Sequence, residues 1–293
     1  MIFVIGGVTA SGKSTLAFRF AKKVHGIIIN ADAFAFYQEL EIGTAKPTKE
    51  ELSVVPSFLF NIISLDERFS IYNYQKEVRT LLTKYLAENT PIIFVGGSGL
   101  YLRAALYNYN LQPEQELAVS DDPSVSNIAL HNELKAIDAE AASKIHPNNR
   151  KRVLRALALI KAHDKTKTAM EAVTTNEPLY PYIMICLDKE NEVLHHDIEK
   201  RIKQMFAQGL KEEALTLSAK YPQNAQGMQA IGYKEIVQNP TATDEELMAL
   251  IALKTRQYAK RQRTFFRNQF SAKWFNDVDK AYNYLIEKYE EQV

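Results

Sequence analysis

Four apolar runs punctuate the chain at residues 2–6, 27–30, 92–96 and 182–187. None alternates apolar with polar positions, so each predicts a short strand buried on both faces, the pattern of a parallel sheet covered by helices. Residues 58–64 form a weaker fifth run. Helical spacing follows the runs: residues 14–24 directly after the first, and 193–221, 244–270 and 279–290 after the last. Strands alternating with helices predict an α/β fold with an open parallel sheet, whose ligands gather beyond the carboxyl ends of the strands. No comparable run lies between 112 and 181, where Pro113, Pro123, Pro147 and Pro178 punctuate helical patterns. That stretch reads as a helical insertion (112–181) in a core made of 1–111 and 182–293, and the chain shows no repeat or low-complexity tract.

Length and composition narrow this picture. A chain of 293 residues can bury one large core or two modest ones. Lysine and arginine total 36 against 35 acids, so a polyanion partner has to be argued from local clusters. The insertion is divided by charge. Glu114, Glu116, Asp121, Asp122, Glu133, Asp138 and Glu140 precede an acid-free stretch, 141–163, that carries Lys144, Arg150, Lys151, Arg152, Arg155 and Lys161. The one cysteine, Cys186, sits in the fourth apolar run and reads as a small buried hydrophobe; it excludes an internal disulfide and a cysteine-based zinc cluster. No apolar stretch approaches the ~20 residues of a membrane span, so a cytoplasmic protein with no membrane partner is expected. His146, His195 and His196 lack the spacing of a metal site.

Chemistry concentrates at the predicted strand ends. Gly7-Val8-Thr9-Ala10-Ser11-Gly12-Lys13-Ser14 follows the first run and opens a helix, the G-x-x-x-x-G-K-[ST] phosphate loop in its proper context. Its amides can cradle a diphosphate, Lys13 adds a cation, the Ser14 hydroxyl can reach magnesium, and the helix dipole favours an anion. Asp32 follows the second run, where a carboxylate can hold magnesium, activate a hydroxyl, take a proton from an attacking amine, or cap a helix starting near Ala33. Gly43-Thr44-Ala45-Lys46-Pro47 offers a hydroxyl and a cation in a loop, and Gly96-Gly97-Ser98-Gly99 ends the third run with a serine that can donate to a phosphate or a leaving oxygen.

Near the C-terminus no acid occurs between Leu247 and Asn276, while Arg256, Lys260, Arg263 and Arg267 fall at i, i+4, i+7 and i+11 on one helical stripe. Tyr258, Phe265, Phe266 and Phe270 interleave it. Such a stripe repels itself unless it meets phosphate, which points to nucleic acid or diphosphate.

The ordered set of phosphate loop, Asn30-Ala31-Asp32, Ile42-Gly43-Thr44-Ala45-Lys46-Pro47, Gly96-Gly97-Ser98-Gly99-Leu100-Tyr101, Ile145-His146-Pro147-Asn148-Asn149-Arg150, Gln229-Ala230-Ile231-Gly232-Tyr233-Lys234-Glu235 and Thr255-Arg256-Gln257-Tyr258-Ala259-Lys260-Arg261-Gln262 resembles the bacterial tRNA dimethylallyltransferases over nearly the whole chain. The resemblance implies transfer of a dimethylallyl group from dimethylallyl diphosphate to the exocyclic amine of the adenine beside the anticodon, with Mg2+ as cofactor and a monomeric enzyme. It implies Asp32 as general base and Ser98, where the family usually has threonine, on the leaving oxygen. Gly7, Thr9, Ala10, Ser11, Gly12, Lys13, Ser14, Thr15 and Arg201 would hold diphosphate, with Ser14 also on the metal. Ala33, Phe34, Ala35, Lys46, Lys151, Arg152, Arg155, Arg256, Lys260 and Arg263 would meet the tRNA, the insertion gripping its anticodon stem-loop. Val8, Ala33, Ala35, Ser57-Phe58 and Asn61 depart from the family's usual proline, serine, glutamine, paired histidines and aspartate, and Ser126 stands near the place of a substrate-contacting arginine. Alternatives are a small-molecule kinase, an adenylate isopentenyltransferase, and an RNA-binding relative with weakened catalysis.

Overall fold

A computed structural model describes residues 1–109, 111, 121–172 and 177–292. In chain order its elements are β1 (Ile2–Gly7), α1 (Lys13–Lys23), β2 (Ile27–Asn30), α2 (Lys49–Val54), β3 (Ser57–Phe58), α3 (Ile71–Ala87), β4 (Ile92–Val95) and α4 (Gly99–Leu106), then α5 (Asn127–Ile137), α6 (Ala139–Lys144), α7 (Arg150–His163) and α8 (Lys167–Ala172). The chain continues through β5 (Ile183–Leu187), α9 (Asn191–Ala207), α10 (Leu210–Lys220), a 3-10 turn at Gly227–Gln229, α11 (Tyr233–Gln238), α12 (Asp244–Gln269), β6 (Lys273–Phe275) and α13 (Val278–Glu290). Two compact units result. One comprises Met1–Phe69, Tyr74–Ala105 and Tyr180–Val293; the other comprises Ser70–Asn73 and Leu106–Leu179, where the sequence reading put 112–181. Pro113, Glu114 and Glu116 lie outside the described residues.

The first unit is built on six parallel strands in the order β3-β2-β4-β1-β5-β6. The central strand β1 is fully buried, with Phe3, Val4 and Ile5 wholly sequestered, because it has a strand on each side and apolar cover. Leu16 and Phe20 of α1 and Ala281 and Leu285 of α13 share one core with Phe3, Ile5, Ile28, Ile93 and Ile185. Cys186 is buried in β5, and burial pushes its thiol up to about 12, which suits packing rather than nucleophilic work.

Several elements differ from the sequence pattern. The fifth run yields only the two-residue strand β3, and β6 is an added edge strand that no apolar run announces. The stretch 193–221 is two helices, broken at Gly209, whose φ of 97° sets the start of α10. No helix starts at Ala33; residues 33–36 form turns.

In the second unit, α5, α6 and α7 close on Leu130, Leu134, Ala142, Ile145, Val153, Leu154 and Ala156. Asp138 is buried where α5 meets α6; it accepts from the Ala141 N–H and from the Thr168 N–H and hydroxyl, so α8 is tied to the same corner. Ser126 caps α5 by accepting from the Ala129 N–H. Arg150, one of the cations of the acid-free stretch, is used internally: its guanidinium bonds the Asp121 carboxylate and the Asp122 and Val125 carbonyls at 2.6–2.7 Å.

Candidate active site

The phosphate loop leaves β1 at Gly7, whose φ is 121°; a Cβ there would lie 2.1 Å from the Leu187 carbonyl oxygen of β5. Only glycine lets the chain turn this close to its neighbouring strand. Gly12 then brings no side chain to the start of α1, and the first turn carries no acid, so the helix amides are left for an anion. Ser11 is buried and donates to the Val8 carbonyl at 2.8 Å, the same carbonyl that accepts from the Lys13 ammonium. Ser14 and Thr15 are exposed at the rim.

Desolvation lowers the Lys13 pKa to about 8, with Arg201 acting in the same direction and Asp32 opposing. A bound anion favours the charged form. If inorganic diphosphate seats here, its binding should take up a proton as pH rises through about 8, with affinity declining above it. Calorimetry in buffers of different ionisation enthalpy checks this; binding with no linked proton above pH 8 would contradict it.

Asp32 stands at the end of β2 and is partly exposed. Its backbone N–H bonds the Asn30 side chain at 2.8 Å and its carboxylate accepts from the Phe34 N–H at 3.1 Å, which fixes one oxygen in a local turn. Asn30 itself is buried and donates to the Asp32 and Leu59 carbonyls. Ser98, at the end of β4, accepts from the Ala33 N–H at 3.2 Å, so the serine and the carboxylate belong to one connected turn. Ala35 is buried, and Phe34 lines the cavity beside Asp32.

Two cavities meet here. One, of about 250 Å³, is lined by residues 9–15 of the phosphate loop, Asn30, Asp32, Thr44–Pro47, Gly96, Gly97 and Arg201. The other, of about 270 Å³, is mainly apolar, with Ile198, Ile202, Met205, Leu210, Ile231 and Ile251 beside Gln229, Thr255, Tyr258 and Arg261. Thr9, Ala10, Asp32, Thr44 and Arg201 line both. Arg201 is carried inward because it lies on the buried face of α9, between Ile198 and Ile202. Burial lowers its pKa, with Asp32 opposing the shift, and its one long bond is to the Thr44 carbonyl at 3.5 Å.

The loop at 42–47 is braced from outside. The Gly43 N–H donates to the Tyr233 hydroxyl at 2.9 Å, and Tyr233 bonds Glu213, which also accepts from the Ile42 N–H. Lys46, expected to meet RNA, instead donates to the Tyr37 and Gln38 carbonyls at 2.9 Å. Its charge staples its own loop.

α12 also corrects the sequence reading. Arg263 forms a two-pronged ion pair with Asp188, both N–H···O distances being 2.7 Å, and Arg256 pairs with Glu199 at 3.1 Å. Two of its four cations are thus paired with acids from the end of β5 and from α9, and Arg267 comes within 3.9 Å of the same Asp188. Lys260 stays exposed on α12, and Lys151, Arg152 and Arg155 are exposed on α7. The sequence pattern offers Tyr258 only as a ring interleaving the stripe and gives no role to Gln262, an inward residue of α12. Gln262 is buried and bonds both the Thr9 N–H and the Gly97 carbonyl, and Tyr258 lines the apolar cavity. Gln262 falls on the buried stripe with Ile251, Ala252, Ala259 and Phe266; a polar residue in that register was the available signal.

These strand-end groups invite comparison with known proteins. A family model described as IPP transferase matches residues 35–269. The chain belongs to the IPP transferase family. A tRNA dimethylallyltransferase of Oceanobacillus iheyensis is 37% identical, over 94% of this chain and 90% of the relative, and one of Geobacillus thermodenitrificans is 37% identical over 95% and 91%. Among solved family structures, a tRNA delta(2)-isopentenylpyrophosphate transferase of Staphylococcus epidermidis superposes with a TM-score of 0.73 at 32% identity, covering 100% of this chain and 99% of that one. A eukaryotic dimethylallyltransferase acting on tRNA gives 0.79 at 26% identity, covering 90% and 69%. The parallel six-stranded core is thus the family's fold.

Proposed function

We infer that this chain transfers a dimethylallyl group from dimethylallyl diphosphate to the exocyclic amine of an adenine beside the anticodon of tRNA, releasing diphosphate. The observation that carries the reading is the wall shared by the two cavities, where Asp32 and Arg201 stand between a polar phosphate loop and an apolar chamber. A donor with an anionic end and a hydrocarbon end suits that pairing. A nucleoside triphosphate leaves the apolar chamber without a role.

In the proposed reaction the adenine nitrogen attacks the first carbon of the prenyl group while the carbon–oxygen bond to diphosphate breaks. Asp32 takes the proton that the amine sheds. Negative charge grows on the departing diphosphate, where the loop amides, Lys13, Arg201 and the Ser98 hydroxyl stabilise it more than they stabilise the ground state. Ser14 and Asp32 line the same polar cavity and offer oxygen donors, the kind magnesium takes together with substrate phosphate and water. A magnesium ion there would neutralise part of the diphosphate charge. Among the described residues no helix is long and apolar enough to cross a membrane.

Binding tests the donor directly. Labelled dimethylallyl diphosphate should bind more tightly than ATP, and tight ATP binding without prenyl transfer would overturn the reading. The adenine has to leave its stack to reach Asp32, as base-modifying enzymes require. The exposed cations of α7 suit the RNA backbone. Replacing Lys151 and Arg152 together with alanine should weaken tRNA binding and reduce the slope of log K against log salt by roughly one for each phosphate no longer neutralised. Arg263→Ala should behave differently, lowering stability by roughly 1–3 kcal/mol because Asp188 loses its partner. Titrations at several salt concentrations with thermal melts separate the two; an unchanged salt slope in the α7 variant contradicts its role.

A further inference from the structure

Gln262 is 4% exposed and reaches two loops at once. Its Oε1 accepts from the Thr9 N–H of the phosphate loop at 2.8 Å, and its Nε2 donates to the Gly97 carbonyl at 3.1 Å. A backbone N–H can only donate and a backbone carbonyl only accept, so the two partners fix which way the amide points. The two loops leave the neighbouring parallel strands β1 and β4. A Cβ on residue 97 would lie 2.0 Å from Nε2, so glycine there makes room for this side chain.

The helix that supplies Gln262 is held on either side. Ala259 and Phe266 are buried one turn away in each direction, and Arg263, the next residue, is anchored to Asp188 at the end of β5.

We propose that Gln262 is a positioning residue, its amide locking the phosphate loop to the 96–99 turn so that the remaining loop amides and Ser98 are set for diphosphate before it arrives. It rests on the reading of this loop as a diphosphate site. By engaging the Thr9 N–H, Gln262 commits that amide to the scaffold and leaves those further along the loop and the start of α1 to the ligand. Such preorganisation is what makes fixed donors effective toward developing charge. Only a carboxamide serves both partners at neutral pH. A carboxylate accepts but cannot donate to Gly97, a protonated carboxyl does both, and a hydrocarbon does neither.

The test uses full-length Gln262→Leu and Gln262→Glu, with calorimetric binding of inorganic diphosphate, tRNA affinity and thermal midpoint measured for each. Gln262→Leu should weaken diphosphate by about 10-fold while tRNA affinity stays unchanged. Gln262→Glu should be defective near neutral pH and approach wild type as pH falls toward 5.5 and its carboxyl gains a proton, each value taken relative to wild type at the same pH. The Glu variant keeps the test decisive should the Leu variant fail to fold. A merely structural role would lower the melting point without this acid rescue. Wild-type binding that both folded variants reproduce, or a Glu defect that does not respond to pH, overturns the proposal alone. No diphosphate binding by wild type overturns the loop reading and this proposal with it.

Discussion

Asp32→Asn should keep its fold and its donor yet transfer the prenyl group more slowly by a factor on the order of 10²–10⁴, the usual worth of a positioned proton acceptor. The asparagine side-chain oxygen can still accept from the Phe34 N–H, as Asp32 does at 3.1 Å, so the turn after β2 survives the change. The ability to take a proton is lost together with the negative charge. Without magnesium, diphosphate binding should be equal or tighter, because a negative charge beside Lys13 and Arg201 has been removed. Single-turnover transfer with labelled donor, alongside donor binding, checks both halves. A rate within a few-fold of wild type removes Asp32 from the chemistry.

Lys13→Met should have the next largest effect, lowering kcat/KM on the order of 10²–10³ through lost stabilisation of the departing diphosphate. Stability should move the other way. Burial lowers the Lys13 pKa from 10.5 to about 8, so below pH 8 the folded chain carries the cost of a cation held away from water, and that cost fades as pH rises from 8 toward 10.5. Removing the ammonium relieves it while the methionine keeps the packing of the stem. The variant should therefore melt no lower than wild type at pH 6, and any advantage should shrink toward pH 10. Loss of activity with a gain in stability is the mark of a residue kept for function. A variant that is active, or inactive only because it unfolds, contradicts this.

Local patterns revealed the parts of the fold that local physics determines. β1, the phosphate loop and α1 were legible together because the motif needs a strand before it and a helix after it, and both are written in the apolar spacing. β2, β4 and β5 were legible because strands buried on both faces are continuous apolar runs. β6 was not, since an edge strand of Lys273, Trp274 and Phe275 has no such run. The charge stripe of α12 failed for a different reason. The acids Asp188 and Glu199 lie 75 and 57 residues from Arg263 and Arg256, so self-repulsion inferred along one helix missed the groups that pair with these two cations. Lys46 was misread similarly, its partners being carbonyls only eight and nine residues away in a loop whose path the sequence does not display. Asp32 and Ser98 were found as strand-end residues, but their joining through the Ala33 N–H depends on how β2 and β4 converge.

On the proposed function, this loop holds a leaving diphosphate and transfers no phosphoryl group. Incubating the chain with unmodified tRNA and dimethylallyl diphosphate labelled in the prenyl group measures it most directly. Label should appear on the exocyclic amine of an adenine beside the anticodon, with one diphosphate released per group transferred and far slower transfer by Asp32→Asn. Unlabelled tRNA, accompanied by prenylation of free AMP or by phosphoryl transfer from ATP to a small molecule, would contradict it.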